Sequence, residues 1–284
     1  MKLKQIIFSL IAFFAITTFS LTPALADTSG FTPTLVTASE ASDTVDTRQT
    51  NIEHQLSFSD AHINARWVTQ IEDYPIGERT VISNVGEEDA IIVGANEKVL
   101  KPRTSTTVKN VTIKKADSLV LNSIKNPSEI GGVVLGAQWD IAGNVIPQYP
   151  TDIPLWKSTQ DSIGLIEADP KVLTAELDQA RPGKKETFEV KVNLWFATNN
   201  TNCSIHKAHD FLEVHTQIYG IGRMQKFYEQ TANTLYEDVI LGPGQTHIPF
   251  PVVSKDDEFI YPWHQYYADT DTIWMAIEFH PVEQ

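Results

Sequence analysis

The stretch His206-Lys207-Ala208-His209-Asp210-Phe211-Leu212-Glu213-Val214-His215-Thr216-Gln217, followed by Tyr219-Gly220-Ile221-Gly222, decides how this chain is read. About twenty residues later comes Leu241-Gly242-Pro243-Gly244-Gln245-Thr246-His247. In a β-strand alternate side chains share a face, so Glu213, His215 and Gln217 point one way and Val214, Thr216 and Ile218 the other. A polar face inside a strand looks either at water or at a ligand-filled interior. Six of the eight histidines lie at or after position 206. Imidazoles mixed with a carboxylate suit Fe(II), Mn(II), Zn(II) or Ni(II) and leave coordination positions for a substrate.

Outward from this stretch the signals are those of strands. Thr187 to Phe196 alternates, with Phe188, Val190, Val192 and Leu194 on one face. Asn199-Asn200-Thr201-Asn202 reads as a turn, and Tyr236–Leu241 and Thr272–Phe279 as further strands. In the first half, residues 80–86, 90–94, 106–108, 111–113 and 118–121 are short β-branched runs separated by turns, which indicate a sandwich or barrel rather than βαβ units. Residues 125–170 carry Pro127, Gly131-Gly132, Pro147, Pro150, Pro154 and Pro170, which excludes long helices and predicts an irregular connection. Val133–Gly136 and Gly164–Ile166 are candidate short strands within it, and a helical turn or two is expected over 171–180.

The order His209, Glu213, Gly220 resembles the second part of the first cupin motif, and Pro243-Gly244-x-x-His247 resembles the core of the second. The likeness covers roughly residues 185–280. It implies an all-β chain with a double-stranded β-helix, or jelly-roll, barrel. By family role His209, Glu213 and His247 would hold one divalent transition metal (Fe, Mn, Zn or Ni). The chain departs from the pattern at the first histidine, where it has Lys207. A strand bulge could return His206 to the site, or His215, on the face of Glu213, could replace it. Ile248-Pro249-Phe250 offers no asparagine where the second motif usually ends. The expected metal set is thus His206, His209, Glu213 and His247, with His215 as the acid–base group. Gln217 and the aromatic stretch Tyr261–Tyr267, with Trp263, His264 and Tyr266, would bind substrate. That stretch can equally form core and a homodimer interface. His54, His62 and His280 are read as surface residues, and Cys203 as a buried thiol rather than a ligand.

The start of the chain carries an address. Lys2 and Lys4 precede an apolar run from Ile6 to Leu21, and Ala24-Leu25-Ala26 is a site for signal peptidase. The expectation is a signal peptide at 1–26, export to the periplasm or medium, and no membrane attachment afterwards. A flexible leader follows at 27–51, a β-rich region at 52–170 and the cupin domain at 171–284. The first region is either a degenerate second cupin or a set of strands that extends the one barrel. A net charge of −14, about −16 without the two leading lysines, argues against nucleic acid or anionic lipid as a partner. With one cysteine, stability comes from core burial rather than a disulfide. Two functions fit: an exported mononuclear-metal enzyme, dioxygenase-like, acting on a small polar or aromatic compound, or a non-catalytic cupin that binds a small molecule or sugar.

Overall fold

A computed structural model of the chain describes residues 49–174, 184–247, 249, 251–253 and 259–282. The expected signal peptide, nearly all of the expected leader and most of the expected helix at 171–180 lie outside these residues. What is described of that helix is a single 3₁₀ turn, Pro170–Leu173, capped by the Asp169 side chain.

Seven strands open the described chain: β1 (Ile52–Gln55), β2 (Ile63–Ile76), β3 (Thr80–Asn84), β4 (Ala90–Val93), β5 (Glu97–Leu100), β6 (Ser105–Val108) and β7 (Val111–Ile124). They form one sheet around β7, which pairs with β2 along one edge and with β3 and β4 along the other. Gln70 and Asp73 take left-handed φ values of 51° and 47°, and the β2–β7 pairing passes over both and resumes in the same register. The sheet encloses a core of its own, built on Val68, Ile71, Ile82, Ile92, Ile113 and Leu121.

The second half begins with β8 (Trp139–Ile141), β9 (Leu155–Ala168), β10 (Glu186–Ala197), β11 (Thr201–Asn202) and β12 (Leu212–Tyr219). It continues with β13 (Gly222–Phe227), β14 (Leu235–Leu241), β15 (Val252–Val253), β16 (Phe259–Ile260), β17 (Trp263–Ala268) and β18 (Thr272–Pro281). One sheet runs β12-β18-β10-β9-β8 and a second runs β11-β17-β13-β14. Chain neighbours such as β10 and β11, β12 and β13, and β17 and β18 fall in opposite sheets, which is the Greek-key weave of a jelly roll. The fold is all-β, as expected.

Three segments differ from the sequence reading. Val133–Gly136 is not a strand, since Pro127–Leu135 forms a 3₁₀ segment. The short strand expected at Gly164–Ile166 is part of the fourteen-residue β9, which keeps Gly164 at φ +101° where its register with β10 shifts. Its length comes from pairing with β10, a long-range partner that no local pattern reveals. Third, the Trp263–Ala268 aromatics form β17, in the interior of the second barrel sheet.

β18 is buried on both faces. Met275 meets the seven-stranded sheet, where Asn122 Nδ2 lies 3.5 Å from its sulfur, while Trp274 and Glu278 line the barrel cavity. Leu56, Phe58, Ile63, Ala65 and Val120 from the first half pack in one apolar cluster with Val192, Val214, Met275 and Ile277 from the barrel. The described residues accordingly lie in one compact unit. Among the described residues no helix is long and apolar enough to cross a membrane.

Candidate metal centre

His206 and His264 are brought face to face by backbone bonds. His206 N donates to His264 O and His264 N to His206 O, both at 2.9 Å, an isolated antiparallel bridge. Bridge partners carry their side chains on the same side, so the two imidazoles meet, with centroids 4.4 Å apart. Ser204 holds a left-handed φ of 74° just before this bridge. Lys207, next along the chain, is exposed and lays its ammonium 4.6 Å over the ring of Trp263. His209 completes the cluster, its Nε2 3.2 Å from His264 Nε2. The three histidines each place one ring nitrogen within 4.8 Å of the other two.

Glu213 reaches the cluster from β12. Its Oε2 accepts from His215 Nε2 at 3.1 Å, and its Oε1 lies 3.5 Å from His209 Nε2. The carboxylate is buried, and Oε1 receives no hydrogen bond among the described residues. Burial alone would raise its pKa, but His215, His209 and His264 together hold it well below the usual carboxylate range. Burial pushes His206 down to about 4, against smaller opposing effects from the Ser204 carbonyl and Glu213, and it takes His264 well below the ordinary imidazole value. Burial thus favours neutral imidazole at His206 and His264 beside the Glu213 carboxylate, the protonation state a metal requires.

The tautomers agree. His206 Nδ1 is 3.0 Å from the Ser204 carbonyl and His264 Nδ1 is 2.9 Å from the Pro262 carbonyl. A carbonyl only accepts, so both Nδ1 atoms carry the proton and both Nε2 atoms present a lone pair. Metal-binding histidines use their second nitrogen in this way. Two nitrogens each about 2.1 Å from one ion stand roughly 3 to 3.5 Å apart, which the separation of His209 and His264 matches. One ring nitrogen from each of the three histidines fits a divalent ion, with Glu213 Oε1 3.5 Å from that of His209.

The cluster opens into a cavity of about 420 Å³. Tyr149 reaches His206 Nε2 at 3.3 Å, and burial raises its phenol pKa far above normal. Across the cavity Glu278 is buried and accepts from Gln160 (2.6 Å), Asn193 (2.6 Å) and His280 (2.9 Å). Lys157 also lines it.

Of the residues singled out in the sequence, His206, His209, Glu213 and His215 come together here. His264, expected to bind substrate, stands in the cluster as the third imidazole. His247 is not brought to it. The chain at 243–246 is tied to β6, with Ser105 Oγ donating to Gly244 O (2.9 Å) and Thr107 Oγ1 to Pro243 O (2.8 Å). His247 N donates to His215 O, but the residue lines a separate cavity with Arg103 and Ser105. Gln217 does not line the main cavity. Its amide donates to Tyr219 O (2.6 Å) and the Thr272 hydroxyl, and it accepts from the Tyr266 hydroxyl, so it braces the sheets. Trp263 sits under Lys207 outside the lining, whereas Tyr266 lines the cavity and stacks on Trp274 at 3.9 Å. His280, read as a surface residue, lines it too, as do Lys157, Gln160 and Glu278. Only Glu278 left a signal in the sequence: an acidic residue two positions before His280 in an otherwise apolar strand.

No protein-family model and no curated protein sequence matches the chain. Among solved structures it is similar to a cupin 2 conserved barrel domain protein from Leptotrichia buccalis, with 12% identity, a TM-score of 0.26, and 86% of this chain and 92% of that one covered. It is also similar to Bacillus subtilis oxalate decarboxylase, in a structure concerned with that protein's Mn(II) centres, at 10% identity and TM-score 0.27, covering 78% and 70%. A third is the 11S globulin from Wrightia tinctoria, at 9% identity and TM-score 0.26, covering 78% and 76%. The jelly-roll assignment rests on the strand order given above.

Proposed function

We propose that this chain is an exported mononuclear metal enzyme of cupin type, with His206, His209, His264 and Glu213 as the ligands of one divalent transition ion. The observation that carries this reading is the convergence of one ring nitrogen from each of three histidines, with the Glu213 carboxylate beside His209, at the wall of a cavity large enough for a small polar or aromatic compound. A bound Fe, Mn, Zn or Ni ion would supply Lewis acidity, or redox chemistry in the case of Fe and Mn. The chain's own groups do the rest. His215, donating from Nε2 to Glu213 Oε2, turns that carboxylate so that Oε1 faces the cluster. The Tyr149 hydroxyl and the His280–Glu278 pair stand ready to hold or move a proton at the cavity wall. An oxidoreductase is the favoured class: an ion held by these residues would be reached by substrate from the cavity.

Elemental analysis of the purified protein tests the ligand set. The wild type is expected to carry one transition-metal ion per chain, lost in His209→Ala and His264→Ala and retained in His247→Ala. Absence of metal from protein made in metal-supplemented medium, or its loss in the His247 variant alone, would overturn the assignment.

A further inference from the structure

We propose that Tyr149 latches the loop 143–150 against the histidine cluster while no metal is bound, and that loading the site releases the loop. The Tyr149 hydroxyl and the ion compete for one lone pair, that of His206 Nε2. The proposal rests on the metal-enzyme reading and adds a regulation of that same site.

Between β8 and β9 one helical turn, α1 (Ala142–Val145), opens a loop whose ends meet. A Cβ on Gly143 would stand 2.8 Å from the Pro150 backbone. Compact surface loops closed in this way frequently carry function. Asn144, Val145, Pro147 and Gln148 are exposed, yet Val145, Ile146, Gln148 and Tyr149 line the cavity, so the loop is part of its wall. Ile146 and Tyr149 pack on the barrel's apolar cluster, and the Tyr149 ring is tilted against Trp195 with centroids 5.6 Å apart. Most hydrogen bonds of the loop are local. Ile146 N donates to Ala142 O (2.8 Å), Tyr149 N to Ile146 O (3.0 Å) and Asn144 Nδ2 to Asp140 Oδ1 (2.8 Å). Pro147 and Pro150 have no N–H to add. Among the described residues, the bond of the Tyr149 hydroxyl to His206 Nε2, at 3.3 Å, is the only one that ties this loop to the histidine cluster.

His206 fixes the direction of that bond. Its Nδ1 donates to the Ser204 carbonyl at 3.0 Å, so Nε2 carries a lone pair and no proton, and the Tyr149 hydroxyl is the donor. With Nδ1 committed to the carbonyl, Nε2 is also the one ring nitrogen His206 can offer an ion. A nitrogen lone pair serves one partner at a time. Tyr149 must therefore leave Nε2 when the site loads, and among the described residues its hydroxyl has no second hydrogen-bond partner. The loop then keeps only its local bonds and its apolar contacts. What the latch contributes to holding the loop is subtracted from the affinity of the site for metal, because only the latched state must break a bond to bind.

The test titrates Zn(II) into the chelator-stripped full chain, in competition with a chromophoric chelator. Amide hydrogen exchange over residues 143–150 is followed with and without Zn(II). In the wild type, Zn(II) is expected to speed exchange of the loop several-fold. Tyr149→Phe should bind Zn(II) about fivefold more tightly, the size of one net hydrogen bond. Its loop should exchange fast with or without the ion. A role for Tyr149 in packing alone would leave the affinity unchanged or weaken it, so a gain in affinity is the signature of the latch. Zn(II) affinity in Tyr149→Phe equal to or below that of the wild type would overturn the proposal. So would wild-type loop exchange that Zn(II) leaves unchanged, or slows as a hydroxyl that ligates the ion would do. The wild-type exchange data decide the matter if Tyr149→Phe fails to fold. Zn(II) bound by neither protein overturns the metal reading and the latch with it, whereas Zn(II) bound equally by both overturns the latch alone.

Discussion

His206 and Lys207 are adjacent in the chain and face opposite ways. The reciprocal bonds between His206 and His264 fix which of the two turns inward. Strand alternation then sends Lys207 out over Trp263. Where the cupin pattern would place a histidine the chain carries Lys207, and His206, one residue back, is the one that turns inward. The same burial that keeps these imidazoles neutral makes the metal-free protein sensitive to acid. His206 titrates at about 4 in the folded chain against 6.5 when free, so between those values the unfolded chain holds more protons. Its contribution is complete above about pH 6.5 and lost as the pH falls toward 4. It amounts to about 3 kcal/mol at most. His264 acts in the same direction. Glu213, with its pKa depressed, adds a loss that begins below its free value of 4.5. Urea midpoints of chelated protein should fall steadily from pH 7 to pH 4.5, and less steeply in His206→Gln. A flat profile in the wild type would show that the imidazoles are not buried as described. Glu213 and His215 were legible in the sequence through alternation on one strand. His264 was not, because it lies 55 residues from His209 on a strand whose pairing with the His206 segment is made by long-range backbone bonds.

At the scale of elements, the Pro243–Gly244 turn was legible as a turn, but its purpose was not. It resembles a motif that delivers a metal ligand, yet here it docks residues 243–246 between β6 and β12 through Ser105, Thr107 and Thr216. Gly244 has φ +89°, and a Cβ there would run into Thr107. Gly244→Ala should therefore cost roughly 1–3 kcal/mol in denaturant titration while leaving metal stoichiometry unchanged. Metal loss in that variant at temperatures where it stays folded would return the turn to the site. β9 teaches the complementary lesson. Its proline-rich approach and internal Gly164 argue for irregular chain, and the pairing with β10 overrides them. Propensity is a weak prior where a long partner strand offers its whole edge.

At the scale of the molecule, the seven-stranded sheet and the barrel share one apolar cluster, so neither buries its faces alone. Phe58 is fully buried in that cluster, and the next residue back, Ser57, bonds to Asp161 of β9. Phe58→Ala should cost about 3–5 kcal/mol. Native-state hydrogen exchange should show β7 and β10 losing protection together in both proteins. Loss from β7 alone would mean that the first sheet opens as an independent unit. From composition, alternation and turn chemistry alone, the sequence determined that the chain is all-β, that most of its histidines are gathered in the last third, and that Glu213 and His215 share a face. These are local properties, written in the period of side chains along a strand. Which histidine joins His209, that His247 stands apart, and that Lys157, Glu278 and His280 share the cavity were decided only by strand pairing. Those contacts join residues tens of positions apart, and their register is set by the sheets as a whole.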